Sequence, residues 1–301
     1  MSVRIAAVGD VHLAPDIRGT LRPALAGLAE RADVLLLAGD LTRHGTLEEA
    51  AVAAEEFGGL DVPVLAVLGN HDYHCDAQDE ITVLLAKAGI DVLEGNATVL
   101  RAGGTELAVA GVKGFGGGFA GKSGSAFGER EMKAFIEHTE LSAGRLGAAL
   151  REVEGAEILV ALTHYAPVPD TLRGEPPEIY PFLGAYQLGE AIDGARGGSG
   201  ADLAIHGHAH FGSERGCTPV RCRCVTSRSR SSAPPTPSTT WPAGDPERTL
   251  GTHLVRPPVA AVSGLPALAQ GHLCGRTGRP GAACAGRRDN WRETPWGLFG
   301  R

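Results

Sequence analysis

Five apolar runs of strand length punctuate the first 210 residues, and each stops in polar side chains. Val3 to Val8 ends in Gly9-Asp10-Val11-His12, Val34 to Ala38 in Gly39-Asp40, and Val64 to Leu68 in Gly69-Asn70-His71-Asp72. Ile158 to Leu162 ends in Thr163-His164, and Leu203 to Ile205 in His206-Gly207-His208-Ala209-His210. Continuous Val/Ile/Leu runs without alternation are the pattern of strands buried on both faces. Shorter strands are expected near Ile90-Leu93, Thr98-Arg101 and Leu107-Ala110.

Helical spacing of apolar positions fills the intervals. It predicts helices over Leu21 to Arg31, over Leu47 to Phe57 behind the cap candidate Thr46, and over Gln78 to Lys87. Further helices are expected over Arg130 to Val153, with Gly144 and Gly147 as places to bend or split, and from about Ala185 to Ala195. Strands alternating with helices give βαβ units and a mostly parallel α/β sheet. Ligands of such sheets bind outside the carboxyl ends of the strands. The five polar turns are therefore expected to gather along one edge.

Those turns carry metal-ligand chemistry. Asp10 and His12 are one residue apart, so in an extended segment both point the same way, and His208 and His210 repeat the spacing. With Asp40, Asn70 and His164 the inventory reaches seven ligands, more than one ion needs. We expect two divalent ions with Asp40 as the bridge: Asp10, His12, Asp40 and His210 for one, and Asp40, Asn70, His164 and His208 for the other. Imidazole and carboxylate without thiolate suit Mn, Fe, Zn or Co. Such a pair can hold a hydroxide that attacks phosphorus, which makes phosphate esters the natural substrate. His71 is placed to protonate the leaving alkoxide or hold a phosphoryl oxygen, with Asp72 to orient it. Arg43 and His74 sit just beyond ligand turns and are candidate phosphate contacts, whereas His44, His138 and His206 are expected to be structural.

At these residues the chain resembles the calcineurin-like metallophosphoesterase superfamily. The signature Asp-x-His, Gly-Asp, Gly-Asn-His-Asp/Glu, a lone His and Gly-His-x-His is matched in order at Asp10/His12, Gly39-Asp40, Gly69 to Asp72, His164 and Gly207 to His210. The resemblance covers residues 1 to about 216. It implies a sandwich of two sheets flanked by helices, in four layers α/β/β/α, with a dinuclear site and phosphoester hydrolysis. The terminal strands that such proteins carry after Gly-His-x-His are not readable here. The rival function is a non-catalytic metal-binding scaffold on the same fold, like the retromer subunit related to these phosphatases. Such scaffolds tend to lose the motif histidine, and His71 favours the enzyme.

Composition and charge change the picture at the other end of the 301-residue chain. Residues 218–301 hold 12 Arg, no Lys and 11 of the 19 Pro, and carry net charge +8, whereas residues 1–217 carry −15. The chain is expected to divide there into a phosphoesterase domain, 1–217, and an irregular, disordered tail, 218–301. We considered an Arg-rich nucleic-acid tail and a cysteine metal module. We prefer a third reading, a reading-frame shift near Thr218 that has replaced the true terminus and left a truncated product without its last strands. The acidic body argues against nucleic acid, since phosphate backbones attract Lys and Arg. No apolar run is long enough for a membrane span. Met1-Ser2-Val3-Arg4 enters a strand at once, which leaves no room for a secretory signal, so a cytoplasmic protein is expected. The expected partner is a phosphorylated small molecule or protein. The Gly-rich stretch Gly114 to Phe119 lacks the Lys and Ser/Thr of a phosphate cradle, and loops 113–125 and 165–183 are expected to line the pocket instead.

Overall fold

A computed structural model describes residues 3–220, 222–227 and 250–252. In chain order it contains β1 (Val3–Val8), α1 (Arg22–Leu25), α2 (Leu28–Arg31), β2 (Val34–Ala38), α3 (Leu47–Phe57), β3 (Val64–Val67), α4 (Gln78–Lys87) and β4 (Ile90–Val92). Then follow β5 (Asn96–Ala102), β6 (Thr105–Val112), β7 (Gly118–Phe119), β8 (Lys122–Ser123), α5 (Arg130–Glu152), β9 (Ile158–Thr163), α6 (Tyr180–Leu183) and α7 (Tyr186–Asp193). The last strands are β10 (Leu203–His206), β11 (Arg215–Cys217), β12 (Arg223–Thr226) and β13 (Leu250–Thr252).

Two sheets result. The first, in the order β13-β1-β2-β3-β4, is parallel throughout. The second runs β11-β12-β10-β9-β6-β5, parallel from β12 to β6 and antiparallel at both edges. Successive strand residues face opposite sides, so each buried strand feeds two cores. In β2, Leu35 and Leu37 join Leu25, Val52, Phe57 and Ile81 beneath the helices, while Val34 and Leu36 turn inward to Val109, Val160 and Ile205 of the second sheet. On its far side the second sheet offers Ala110, Leu159 and Ala161 to Leu146, Leu150, Leu188 and Ile192 of α5 and α7. Three cores separate four layers, α/β/β/α, as expected. Each large aliphatic side chain so buried contributes roughly 1.5–3 kcal/mol.

Local chemistry explains where the elements depart from their expected bounds. Helix α3 starts where a capping box closes, the Thr46 hydroxyl accepting from Glu49 N–H while the Glu49 carboxylate reaches back to Thr46 N–H. The expected helix over 21–31 is two single turns, because Gly27 between them takes a left-handed φ of 64°. Helix α5 is not split at Gly144 or Gly147. At the latter an added Cβ would stand 3.6 Å from Ala191 Cβ of α7, an ordinary contact.

The stretch in which sequence shows no periodicity nevertheless supplies strands. β12 pairs parallel to β10, and Ser227 N–H donates to the His206 carbonyl. The remainder of the tail, where disorder and a shifted frame are expected, lies outside the described residues. Among the described residues no helix is long and apolar enough to cross a membrane.

Candidate metal centre

The carboxyl ends of β1, β2, β3, β9 and β10 bring their polar turns together at one edge of the sandwich. Asp10, His12, Asp40 and His210 each place one ligand atom within 4.8 Å of the others, and so do Asp40, His164 and His208. Asp40 is common to both groups. Asn70 joins the second, its Oδ1 standing 2.9 Å from His164 Nε2.

The backbone is bent to achieve this. Asp10 (φ 56°), His12 (45°), Asp40 (52°) and His208 (68°) all take left-handed conformations. Such backbone in a non-glycine residue costs about 1–3 kcal/mol and persists only where surroundings impose it. Hydrogen bonds impose it here: Asp10 N–H donates to the Gly39 carbonyl and His12 N–H to that of Asp40, both at 3.0 Å. Gly39 is required by its φ of 81° and because an added Cβ would meet His164 Nδ1 at 2.6 Å. A Cβ on Gly69 would collide with the Asp40 carboxylate.

Neighbouring groups also fix which nitrogen of each histidine is free. His164 Nδ1–H donates to the Ala38 carbonyl at 2.8 Å, leaving the Nε2 lone pair directed at Asn70 Oδ1 and at Asp40 Oδ1, 3.3 Å away. His208 Nε2–H donates to the Phe182 carbonyl at 3.1 Å, which leaves Nδ1. His210 Nε2 lies 3.4 Å from Asp10 Oδ1. His12 Nε2 is buried with no hydrogen-bond partner and stands 3.8 Å from Asp40 Oδ2.

Charge fits the same picture. Burial pushes the pKa of His12, His164 and His208 down, the last to about 4, so their lone pairs remain available at neutral pH. Burial and the nearby Asp10 charge push Asp40 up. Burial works the same way on Asp10, but His210, His164 and His208 outweigh it and bring that carboxyl down to about 2. Two carboxylates and several acceptor atoms thus converge, with His208 N–H donating to Asp10 and His71 N–H to Asp40 Oδ1. Lone pairs 2.9 Å apart, as at Asn70 and His164, repel unless a cation lies against both. The donor set, nitrogen and oxygen without thiolate, suits divalent transition metals.

The sequence profile described as calcineurin-like phosphoesterase matches residues 3–212. The chain belongs to that family. Among solved structures, phosphopantetheinyl hydrolase from Mycobacterium tuberculosis is similar at TM-score 0.51 and 15% identity, over 75% of this chain and 89% of that one. A putative 5'-nucleotidase from Staphylococcus aureus gives TM-score 0.47 and 16% identity, over 74% of this chain and 48% of that one. At these identities the likeness extends to the fold alone. No curated protein matches the sequence significantly.

Within this member of the family the remaining expected residues lie as follows. His71 opens a short 3-10 turn, His71–Tyr73, with its ring 4.4 Å from that of His12 and its Nε2 3.9 Å from Asp40 Oδ2. Asp72 does not orient it. The Asp72 carboxylate is fully buried and accepts from Leu41 N–H, Thr42 N–H, the Thr42 hydroxyl and Gly69 N–H, which ties the Asp40 turn to the Asn70 turn. The Arg43 carbonyl does the orienting, accepting from His71 Nδ1–H at 2.7 Å. The Arg43 guanidinium instead pairs with Asp16 at 3.1 Å, and His74 is exposed with its ring 6.3 Å from that of His44. His206 is buried between the hydroxyls of Thr171 and Thr226 and is structural, as expected.

Sequence reasoning missed Lys113 and Tyr165. The Lys113 carbonyl accepts from the N–H groups of both His164 and Tyr165, and the Tyr165 ring lies 4.5 Å from that of His208. A polar residue closing the apolar run of β6 is the same signal that marked the other turns.

Proposed function

We propose that this chain is a metal-dependent hydrolase of phosphomonoesters or phosphodiesters. The observation that carries the reading is the meeting of His164 Nε2 and Asn70 Oδ1 at 2.9 Å, two acceptors with Asp40 beside them. Asp10, His12, Asp40 and His210 would hold one divalent ion, and Asp40, Asn70, His164 and His208 the second. Bound there, the ions would supply Lewis acidity toward phosphoryl oxygens and a water acidic enough to react at neutral pH.

The chain's own residues do the rest. Asp40 spans both groups because its two carboxylate oxygens face different histidines, Oδ1 toward His164 and Oδ2 toward His12 and His71. His71 N–H binds Asp40 Oδ1 at 2.9 Å and holds that carboxylate in place. The His71 side chain is 42% exposed and so reaches the open side of the site. With Nδ1–H committed to the Arg43 carbonyl, the imidazolium can release only its Nε2 proton, to the leaving oxygen, and returns to one defined neutral tautomer. General acid catalysis of this kind is worth about 10²–10⁴ in rate.

The test is hydrolysis of 4-nitrophenyl phosphate and bis(4-nitrophenyl) phosphate with added Mn²⁺, before and after chelation. We expect turnover of at least one ester that chelator abolishes and Mn²⁺ restores. Protein that binds the metal yet cleaves neither ester would instead be a scaffold.

A further inference from the structure

Lys113 lies beside the candidate centre, and the mechanism leaves its ammonium unused. It closes β6, is only 7% exposed, and carries its ammonium into a cage of three rings. Nζ lies 4.7 Å from the centroid of Tyr73, 5.2 Å from Phe115 and 5.2 Å from Tyr165. Its one hydrogen bond is to the adjoining Gly114 carbonyl at 3.2 Å. An ammonium has three donors, so two are uncommitted, and among the described residues no carboxylate stands within ion-pair distance of it. Aromatic faces offset part of the loss of water around a buried cation but supply no hydrogen-bond acceptor.

Glu94 accepts from the Lys113 backbone N–H at 2.9 Å, not from the ammonium, although its charge and that of Asp40 offset part of the burial of the ammonium. A cavity of about 240 Å³ adjoins the cage, lined by Tyr73, Gln78, Asp79 and Glu94. Its acidic wall repels anions, so an anion drawn to Lys113 comes from the side of the candidate centre. The Tyr165 ring marks the distance on that side, since it touches the cage and also the ring of His208. The ammonium and the candidate centre thus share the Tyr165 ring as a common wall.

We propose that Lys113 contacts the substrate, holding a second anionic group (a carboxylate or a further phosphate) on the leaving part of the phosphoester. This rests on the phosphoesterase reading above and narrows it to phosphoesters with a charged leaving group.

The test separates the two ideas by measuring binding without turnover. Phenylphosphonate and 4-carboxyphenylphosphonate cannot be hydrolysed at their carbon–phosphorus bond, and differ by one anionic group. Calorimetry on the Mn²⁺-supplemented full chain should find the carboxylated ligand bound at least tenfold more tightly. Lys113→Met fills the cage with an apolar chain of similar length and should abolish that preference while leaving phenylphosphonate within about threefold. Lys113→Arg, which keeps the charge, should retain part of it, and thermal melts confirm that both variants fold. Equal binding of the two ligands by the unaltered protein, no binding of either, or a Lys113→Met effect that weakens both alike would each overturn the inference. Failure to cleave either nitrophenyl ester, with the binding preference intact, would instead remove the hydrolase reading and leave Lys113 as an anion contact without a leaving group.

Discussion

The two ligand groups at the sheet edge share Asp40 yet differ in how firmly their neighbours hold them. In the group with Asn70, His164 is wholly buried and locked by the Ala38 carbonyl, and His208 is locked by that of Phe182. In the group with Asp10, the His210 side chain is 49% exposed and the buried His12 Nε2 makes no hydrogen bond. Donors held in position before a cation arrives give up little freedom on binding it, whereas loosely held donors must be ordered by it. On the proposed function, the Asn70 group would hold the tighter and slower-exchanging ion, and the Asp10 group the more labile one.

Changes at the shared or open parts of the centre should break that comparison most severely. Asp40→Asn removes the one charge common to both groups. Metal content should fall below one ion per chain, and turnover by at least about a thousandfold, the scale of losing a preorganised charge at a reacting centre. His71→Asn should lower turnover by about 10²–10³ with metal content unchanged, because His71 touches Asp40 without belonging to either group. An unchanged rate removes it from the mechanism.

The asymmetry itself is read by His12→Ala against His164→Ala, with metal counted per chain during brief dialysis against chelator. The His12 variant should keep one slowly released ion, and the His164 variant one that leaves quickly. Equal release from both would erase the distinction.

Two smaller effects sharpen the boundary of the site. Asp72→Ala orphans three backbone N–H groups and a hydroxyl, at roughly 1–3 kcal/mol for each that water does not reach, so the melting temperature should fall clearly. Arg43→Ala should change turnover less than about threefold, since the centre uses its carbonyl and its guanidinium pairs with Asp16.

These outcomes bear on what a sequence discloses. The five main strands and the candidate ligands that close them were readable because strands buried on both faces are unbroken apolar runs, and a polar residue closing such a run is conspicuous. The layers followed from the same runs once helices were seen between them. What stayed hidden depends on contacts between distant segments. Nothing near Asp72 says that its carboxylate clamps two turns rather than orienting its neighbour. The carbonyls of Ala38, Arg43 and Phe182, which select the histidine tautomers, carry no side-chain signature at all. Strand β12 was missed because Arg-Cys-Val-Thr lies within Arg- and Pro-rich sequence, and only pairing with β10 makes it a strand. Lys113 was passed over because one lysine after an apolar run reads as solvated until three rings are seen around it. The frame-shift reading of residues 218–301 remains our proposal, and the DNA decides it: a gene that admits no alternative frame giving terminal strands refutes it.

The most direct test of the central claim is anomalous scattering from crystals of the full chain grown with Mn²⁺. We predict two peaks flanking the Asp40 carboxylate, about 3.5–4 Å apart, one against His164 and Asn70 and the other against His12 and Asp10. A map with no peak at this edge, or with Mn²⁺ bound only away from Asp40, would contradict the account.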